Sequence, residues 1–346
     1  MKPLLRLALA LLSALSPVAV RAIDGAFFIP VRWSAAEPPL DPLSLAWLKQ
    51  APVAVAIYPQ VSVPPAAEPS GAGTIKVRAR YSGKIIALHL EWPDAKPARD
   101  RTVGKFSDGA AVQWPVRYGP GVALPYIGMG HSGAPVALWF WRADGAVETL
   151  AAQGFGTLTT QAADGIKAKG IWKDGKWYVV FTRSLAASGE HHGSLAPTKL
   201  GLAPVAFAIW NGDSAERNGL KRLSAWQTLR FERGAASAAY AKQLAAPAPA
   251  GSVENGKRLM AEKGCAGCHA YPGNPVRPSI GPDLTYAGGI HATDYLLESL
   301  SDPSRVVVPG KTFSLVQNGK RLSLMPPFAG TDAERRDIVM FLKTLR

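Results

Sequence analysis

Residues 74–81, TIKVRARY, alternate Ile75, Val77, Ala79 and Tyr81 with Lys76, Arg78 and Arg80, the period of two that a strand shows when one face is buried. Ser82-Gly83 turns the chain and KIIALHLEW (84–92) follows, so the pair predicts a hairpin. GIWKDGKWYVVFTR (170–183) predicts another, because Asp174-Gly175 can supply the positive φ angles of a tight turn between two aromatic and β-branched arms. PVAVAIY (52–58), VALWFW (136–141), VAFAIW (205–210) and WQTLRF (226–231) are further strand candidates. Many short strands punctuated by Gly and Pro predict an antiparallel β sandwich. Beyond residue 252 the period changes. SVENGKRLMAEKG and HATDYLLESLSDPSRV (291–306) read as helical, the second stopped near Pro303. Thr331 and Glu334 form a capping-box pattern, and Ile338, Phe341, Leu342 and Leu345 follow at the spacing of one buried helix face. The fold expected is a mainly β antiparallel sandwich followed by an all-α domain.

Composition sharpens the boundaries. RGAASAAYAKQLAAPAPAGS (233–252) is rich in Ala, Pro and Gly and reads as a linker with one or two helical turns inside it. At the N-terminus, MKPLLR, the apolar run LALALLSAL and the small residues around Val20 to Ala22 have the form of a secretory signal. An uncleaved anchor is the alternative, but Ser13, Ser16 and Pro17 shorten the apolar run below a spanning length. The expected division is a signal peptide over 1–22, a β domain over 23–233, a linker over 234–252 and a helical domain over 253–346. No later segment predicts a membrane span, so the expected mature protein is exported and free of transmembrane segments.

The formal charge of +14 falls to +11 once Lys2, Arg6 and Arg21 leave with the signal. The segment 253–346 carries 12 basic and 9 acidic residues, so the remaining +8 lies on the β segment and linker. If charge guides docking, the β segment is the docking surface to expect. No nucleic-acid-binding motif accompanies the charge, which excludes nucleic acid from the expected partners.

The only two cysteines stand in GCAGCHA (264–270), as Cys265-Ala266-Gly267-Cys268-His269. Such a motif can attach a c-type haem, work as a redox dithiol, form half a zinc site or close a disulfide. A zinc site needs further soft ligands, and the chain has no other cysteine. A thioredoxin-like dithiol needs a βαβ context, which the pattern does not offer. In a haem site, two thiols one helical turn apart can add to the two vinyl groups of one haem, and the adjacent His then lies under the iron. With IGPDL (280–284), LMPPF (324–328) and the capped last helix, residues 252–346 closely resemble a class I cytochrome c domain. The resemblance implies covalent haem c on Cys265 and Cys268 and axial ligation by His269 and Met325. It also implies that the Pro282 carbonyl orients His269. A Met/His pair leaves no open iron position and suits electron transfer. His291 reads as a surface or helix-cap residue.

IDGAFFIPVRW (23–33), VRARYSGKIIALHLEW, DGAAVQWPV (108–116), PYIGMG (125–130) and AFAIWNGDSAERNGLKRLSAW (206–226) carry a second resemblance. Residues 23–233 resemble the haem b domain of γ subunits of type II DMSO-reductase-family molybdenum enzymes. That group includes ethylbenzene dehydrogenase, dimethyl sulfide dehydrogenase, selenate reductase and chlorate reductase, and nitrite oxidoreductases carry a related subunit. The resemblance implies one non-covalent haem b held between Met129, the only Met of the segment, and Lys221 in the NGLK turn. A lysine can ligate iron only as a neutral amine. His89, His131 and the His191-His192 pair stand as alternative ligands. The implied role is a non-catalytic, periplasmic, two-haem electron-transfer subunit. Its implied partners are a molybdenum catalytic subunit, an iron–sulfur subunit, and a soluble cytochrome or terminal oxidase. Two other readings stay open: a c-type cytochrome tethered to a haem-free β-sandwich binding module, and an enzyme with an open-coordinate haem.

Overall fold

The period-two segments form strands where the pattern predicts them. The computed structural model describes residues 28–68, 70–162, 165–187, 189–195, 197–245, 248–276, 278–307 and 313–346, so the expected signal peptide lies outside the described residues. In chain order the β domain runs β1 (Phe28–Trp33), α1 (Leu45–Leu48), β2 (Val53–Pro59), β3 (Gly73–Tyr81), β4 (Ile85–Pro93), β5 (Gly109–Pro115), β6 (Val136–Arg142), β7 (Val147–Ala152), β8 (Thr159–Thr160), β9 (Lys167–Lys173), β10 (Lys176–Ser184), α2 (Pro197–Leu200), β11 (Leu202–Trp210), β12 (Arg222–Leu223) and β13 (Gln227–Phe231). The β9–β10 turn places Asp174 at φ 51° and Gly175 at φ 73°, the left-handed pair expected of that hairpin.

The strands form two mostly antiparallel layers. One path runs β8-β7-β6-β5-β11-β12-β2-β3-β4-β10-β9, while β1 lies parallel to both β13 and β3. β2 and β11 serve both layers. Val53 to Ile57 pair with β3 and Tyr58 and Pro59 with β12; Leu202 to Val205 pair with β13 and Ala206 to Trp210 with β5. The core between the layers is aliphatic and Trp-rich. Trp141 of β6 meets Trp177 of β10 edge-on at 5.0 Å, and a side chain at Gly170 of β9 would overlap the Trp141 ring. A glycine there is required by the closeness of the layers, not by the backbone.

One buried carboxylate ties this core to the loops. Asp108 accepts from Trp177 Nε1 at 2.9 Å, from the Ala98 N–H at 2.7 Å and from the Gly212 N–H at 2.8 Å. Its neighbour Asp94 is buried, with Oδ1 accepting from the Lys96 N–H and Oδ2 lacking any partner. Burial, reinforced by the Asp108 charge, pushes the Asp94 carboxyl up to about 6.

The expected linker is partly structured. It holds α3 (Ala238–Ala245), whose Tyr240 is buried and whose Gln243 side chain bonds the Gly121 N–H and the Val122 carbonyl of the β domain. The helical domain follows with α4 (Val253–Glu262), α5 (Ala287–Ile290), α6 (Thr293–Ser301), a hairpin of β14 (Ser314–Gln317) and β15 (Lys320–Ser323), and α7 (Asp332–Leu342). The capping box is present: Thr331 Oγ1 accepts from the Glu334 N–H, and Glu334 Oε2 accepts from the Thr331 N–H. Helices α4 and α7 cross so closely that a side chain at Gly256 would overlap the Asp337 carbonyl. Leu259, Met260, Leu296, Leu300, Ile338, Val339, Phe341 and Leu342 fill the space between them. No helix among the described residues is long and apolar enough to cross a membrane.

The folded Asp94 carboxyl holds its proton more tightly than the unfolded one. Its contribution to stability is therefore full below the ordinary carboxylate range and is lost as pH rises through about 6. Asp94→Asn should raise stability near neutral pH by about 1 kcal/mol, and the gain should vanish toward about pH 4. Thermal unfolding across that range checks it.

Candidate functional site

The CxxCH segment is set by a left-handed glycine. Gly264, at φ 81°, stops α4 and starts a single 3-10 turn over Cys265–Gly267. The N–H groups of Cys268 and His269 both donate to the Cys265 carbonyl, at 3.1 and 3.0 Å. This folds both thiols and the imidazole into one turn. The thiols are free, with Cys265 half-buried and Cys268 exposed. His269 Nδ1 lies 2.8 Å from the Pro282 carbonyl. A carbonyl can only accept, so Nδ1 carries the proton and Nε2 keeps its lone pair. Burial holds the imidazole below its usual range and therefore neutral. The loop cannot move away: the Gly281 N–H donates to Cys268 O at 2.8 Å, and a Cβ at Gly281 would stand 2.7 Å from the His269 ring. Met325, half-buried, packs on the same apolar cluster as Cys265 and Leu284, and its N–H donates to Ser323 Oγ at 3.1 Å. Apolar walls, two thiols, a neutral imidazole and a thioether fit a covalently attached haem.

The second cluster lies in the β domain. Met129 sits at φ 71°, a left-handed conformation that an unbranched L residue adopts at a cost of about 1–2 kcal/mol. The turn around it is over-determined. Gly130 N–H donates to Tyr126 O at 2.8 Å, Met129 N–H to Ile127 O at 2.9 Å, and Gly154 N–H to Met129 O at 2.8 Å. Gln113 Nε2 and Trp226 Nε1 hold the Ile127 and Pro125 carbonyls. The Met129 side chain, 9% exposed, packs with Val136, Leu138, Leu150, Ala152, Phe155 and Trp226. Lys221 precedes β12 and is 5% exposed. Its Nζ faces the rings of Phe155 and Trp210, each at 5.4 Å, and has no hydrogen-bond or ion-pair partner among the described residues. Desolvation alone lowers its pKa to about 8. Phe155 thus belongs both to the apolar cluster around Met129 and to the walls around the Lys221 amine. A thioether and an amine poised to lose its proton, in apolar and aromatic surroundings, are donors of the kind that would hold a non-covalent haem.

Residues 44–165 and 155–222 match the ethylbenzene dehydrogenase family, and residues 253–346 match the cytochrome c family. A protein of Haloferax mediterranei, provisionally assigned as a respiratory nitrate reductase heme subunit, is 36% identical over 236 residues, 65% of this chain and 80% of that protein. The chain belongs to the ethylbenzene dehydrogenase family. It carries a C-terminal cytochrome c domain. Chlorate reductase subunit gamma of Ideonella dechloratans is 35% identical over 154 residues, covering 44% of this chain and 62% of that one. Dimethylsulfide dehydrogenase subunit gamma of Rhodovulum sulfidophilum is 30% identical over 216 residues, covering 58% and 78%. A family 9 carbohydrate-binding module of Caldicellulosiruptor kristjanssonii overlays 60% of this chain and 97% of its own, but at a TM-score of 0.38 and 12% identity it carries no argument. The two family matches support an electron-transfer role.

Within this ethylbenzene dehydrogenase family chain, the histidines weighed as alternative ligands take other places. His89 is a buried residue of β4, between Arg78 of β3 and the Pro42 carbonyl and stacked on Trp47. His131 Nδ1 accepts from the Tyr126 N–H at 3.1 Å. His191 lines a surface cavity of about 850 Å³ with Arg117, Tyr118 and Gln153, apart from Met129 and Lys221. Of the two expectations for His291, the helix-cap one fits, since His291 is the C-cap of α5 and its N–H donates to the Ala287 carbonyl at 2.9 Å, and the surface one needs correction. It follows α5, is 7% exposed, and stacks on Tyr126 of the β domain at 5.8 Å. The alternation of α6 gives no sign of this, because the partner ring comes from residues more than 150 positions away.

Gly130, at φ 77°, leaves only 2.7 Å between a built Cβ and the Ala134 carbonyl. Gly130→Ala should therefore destabilise the β domain by about 1–3 kcal/mol. Urea unfolding would show a lower midpoint at unchanged slope.

Proposed function

We propose that this chain is a two-haem electron relay, the γ-type subunit of a molybdenum oxidoreductase. In this reading Cys265 and Cys268 hold haem c covalently, with His269 and Met325 as axial ligands, and Met129 and Lys221 hold a non-covalent haem b. Lys221 carries the proposal: a buried amine with no counter-charge among the described residues, facing an aromatic ring that packs on the same apolar cluster as a left-handed methionine. Burial of this kind is paid back when the amine becomes a metal ligand and sheds its proton.

When bound, the haem groups would supply one-electron redox chemistry. The residues do the rest. Pro282 fixes the tautomer of His269 through its carbonyl, and Gly281 keeps the ring in place. The Tyr126 and Ile127 carbonyls hold the Met129 turn, and the Gln60 N–H holds the Lys221 carbonyl at 2.8 Å. Aromatic and aliphatic walls exclude water from the amine, keeping it easy to deprotonate. In this reading the chain moves electrons and leaves bond chemistry to another subunit. The relatives named as gamma subunits of a chlorate reductase and a dimethylsulfide dehydrogenase support a place in a multi-subunit oxidoreductase, whose iron–sulfur and molybdenum subunits are in this reading the electron partners on one side. A soluble cytochrome or terminal oxidase suits the other side. The cytochrome c domain suits export to the periplasm.

Acidified-acetone extraction followed by pyridine haemochrome spectra tests the stoichiometry. Equal amounts of extractable haem b and retained haem c are expected, and no extractable haem would remove haem b from the account. Met129→Ala and Lys221→Ala should each deplete haem b and leave the haem c spectrum intact. Full b occupancy in either variant would show that its ligand is assigned wrongly.

A further inference from the structure

We propose that the cytochrome c domain is the outer clamp of the haem b site: its docking holds in place both β-domain segments that carry Met129 and Lys221. This rests on the two-haem reading above and adds a positioning role for residues outside either ligand set.

The first fastening acts on the methionine turn. The Tyr126 carbonyl accepts from Gly130 and so closes the turn that contains Met129. The Tyr126 ring leaves no room for a side chain at Gly128, where a Cβ would lie 2.5 Å from it and 2.9 Å from Phe155. Its other side meets the cytochrome domain, with His291 stacked at 5.8 Å and 18° and Tyr295 at 5.2 Å. His291 and Tyr295 in turn contact each other at 4.9 Å. Among the described residues the His291 Nδ1 has no hydrogen-bond partner, and its buried ring meets Tyr126 and Tyr295 by packing.

The second fastening acts on the lysine turn. The Gln60 N–H donates to the Lys221 carbonyl at 2.8 Å, and Gln60 Nε2 donates to the Gly219 carbonyl at 3.1 Å. Two residues on, Ser62 Oγ donates to the Asp283 carbonyl at 3.0 Å. The preceding carbonyl, Pro282, is the one that accepts from His269. A short run of hydrogen bonds and backbone therefore joins the Lys221 turn to the loop that orients His269. Tyr286 completes the seam: its hydroxyl accepts from the Gly71 N–H at 2.9 Å and its ring lies 5.5 Å from Tyr58. Both fastenings converge on one face of the cytochrome domain, so undocking that face removes the outer support of both turns at once and leaves only their bonds within the β domain.

Gly289 provides a wedge. A Cβ there would lie 2.5 Å from the buried Tyr58 ring, so Gly289→Leu forces the domains apart from the cytochrome side without touching a haem ligand. His291→Ala and Ser62→Ala weaken one fastening each. In the full-length two-haem protein, haem b transfer to apomyoglobin and the haem b midpoint potential are measured, with the haem c spectrum and potential as controls. The wedge should speed haem b loss about tenfold, equivalent to ~1.4 kcal/mol, and shift the haem b potential, with haem c unchanged. His291→Ala and Ser62→Ala should do the same to a lesser degree, and they carry the test if the wedge variant does not accumulate. Parental haem b loss and potential in the variants would overturn the proposal. So would equal perturbation of both haems, which reports general unfolding. A parent protein without extractable haem b would overturn the two-haem reading itself, and that result is in hand before any variant is made.

Discussion

Burying an ammonium without a counter-charge costs several kcal/mol, and such a group answers by giving up its proton or by finding a metal. Lys221 is placed in that position by the fold. Its turn is fixed on one side by β12, which pairs with both β2 and β11, and on the other by the Gln60 N–H. The amine cannot swing into solvent without disturbing the seam where the two β layers exchange strands. The aromatic faces of Phe155 and Trp210 then set its surroundings. Met129, strained into a left-handed turn held by several backbone bonds, lies in the apolar cluster against which Phe155 also packs. Strain that persists because its surroundings over-determine it is a mark of a functional position.

The cytochrome domain sits against this same region rather than trailing from a free tether. The first half of the linker is docked through Tyr240 and Gln243. The interface places Tyr58, Val61, Tyr126 and Ile127 of one domain against Tyr286 and Ile290 of the other. A packed, largely aromatic seam of this kind favours one relative placement of the two ligand sets, which is what a relay between fixed redox centres requires.

Local pattern made half of this legible. β3, β4, β9 and β10 have alternating or turn-punctuated sequences, and α7 advertises its cap. β5, GAAVQWP, is buried on both faces and therefore has no alternation to read. β12 is two residues long, and β1 pairs in parallel with strands distant in sequence. The β14–β15 hairpin is mostly exposed and carries no core signal. At the sites, the two cysteines and the single β-domain methionine stood out by rarity. The unpartnered burial of Lys221 did not, because exposure is a property of the folded chain. The burial of His291 was illegible for the same reason: it depends on Tyr126, which only domain docking brings near.

The central claim is that two haems with different ligand pairs share this chain. Near-infrared magnetic circular dichroism of the oxidised full-length protein tests it most directly, because the charge-transfer energy of a low-spin ferric haem reports its axial pair. The account predicts two low-spin species in equal amounts, one with methionine and imidazole and one with methionine and amine. A single methionine–imidazole species, or a second haem with an open position, would contradict it.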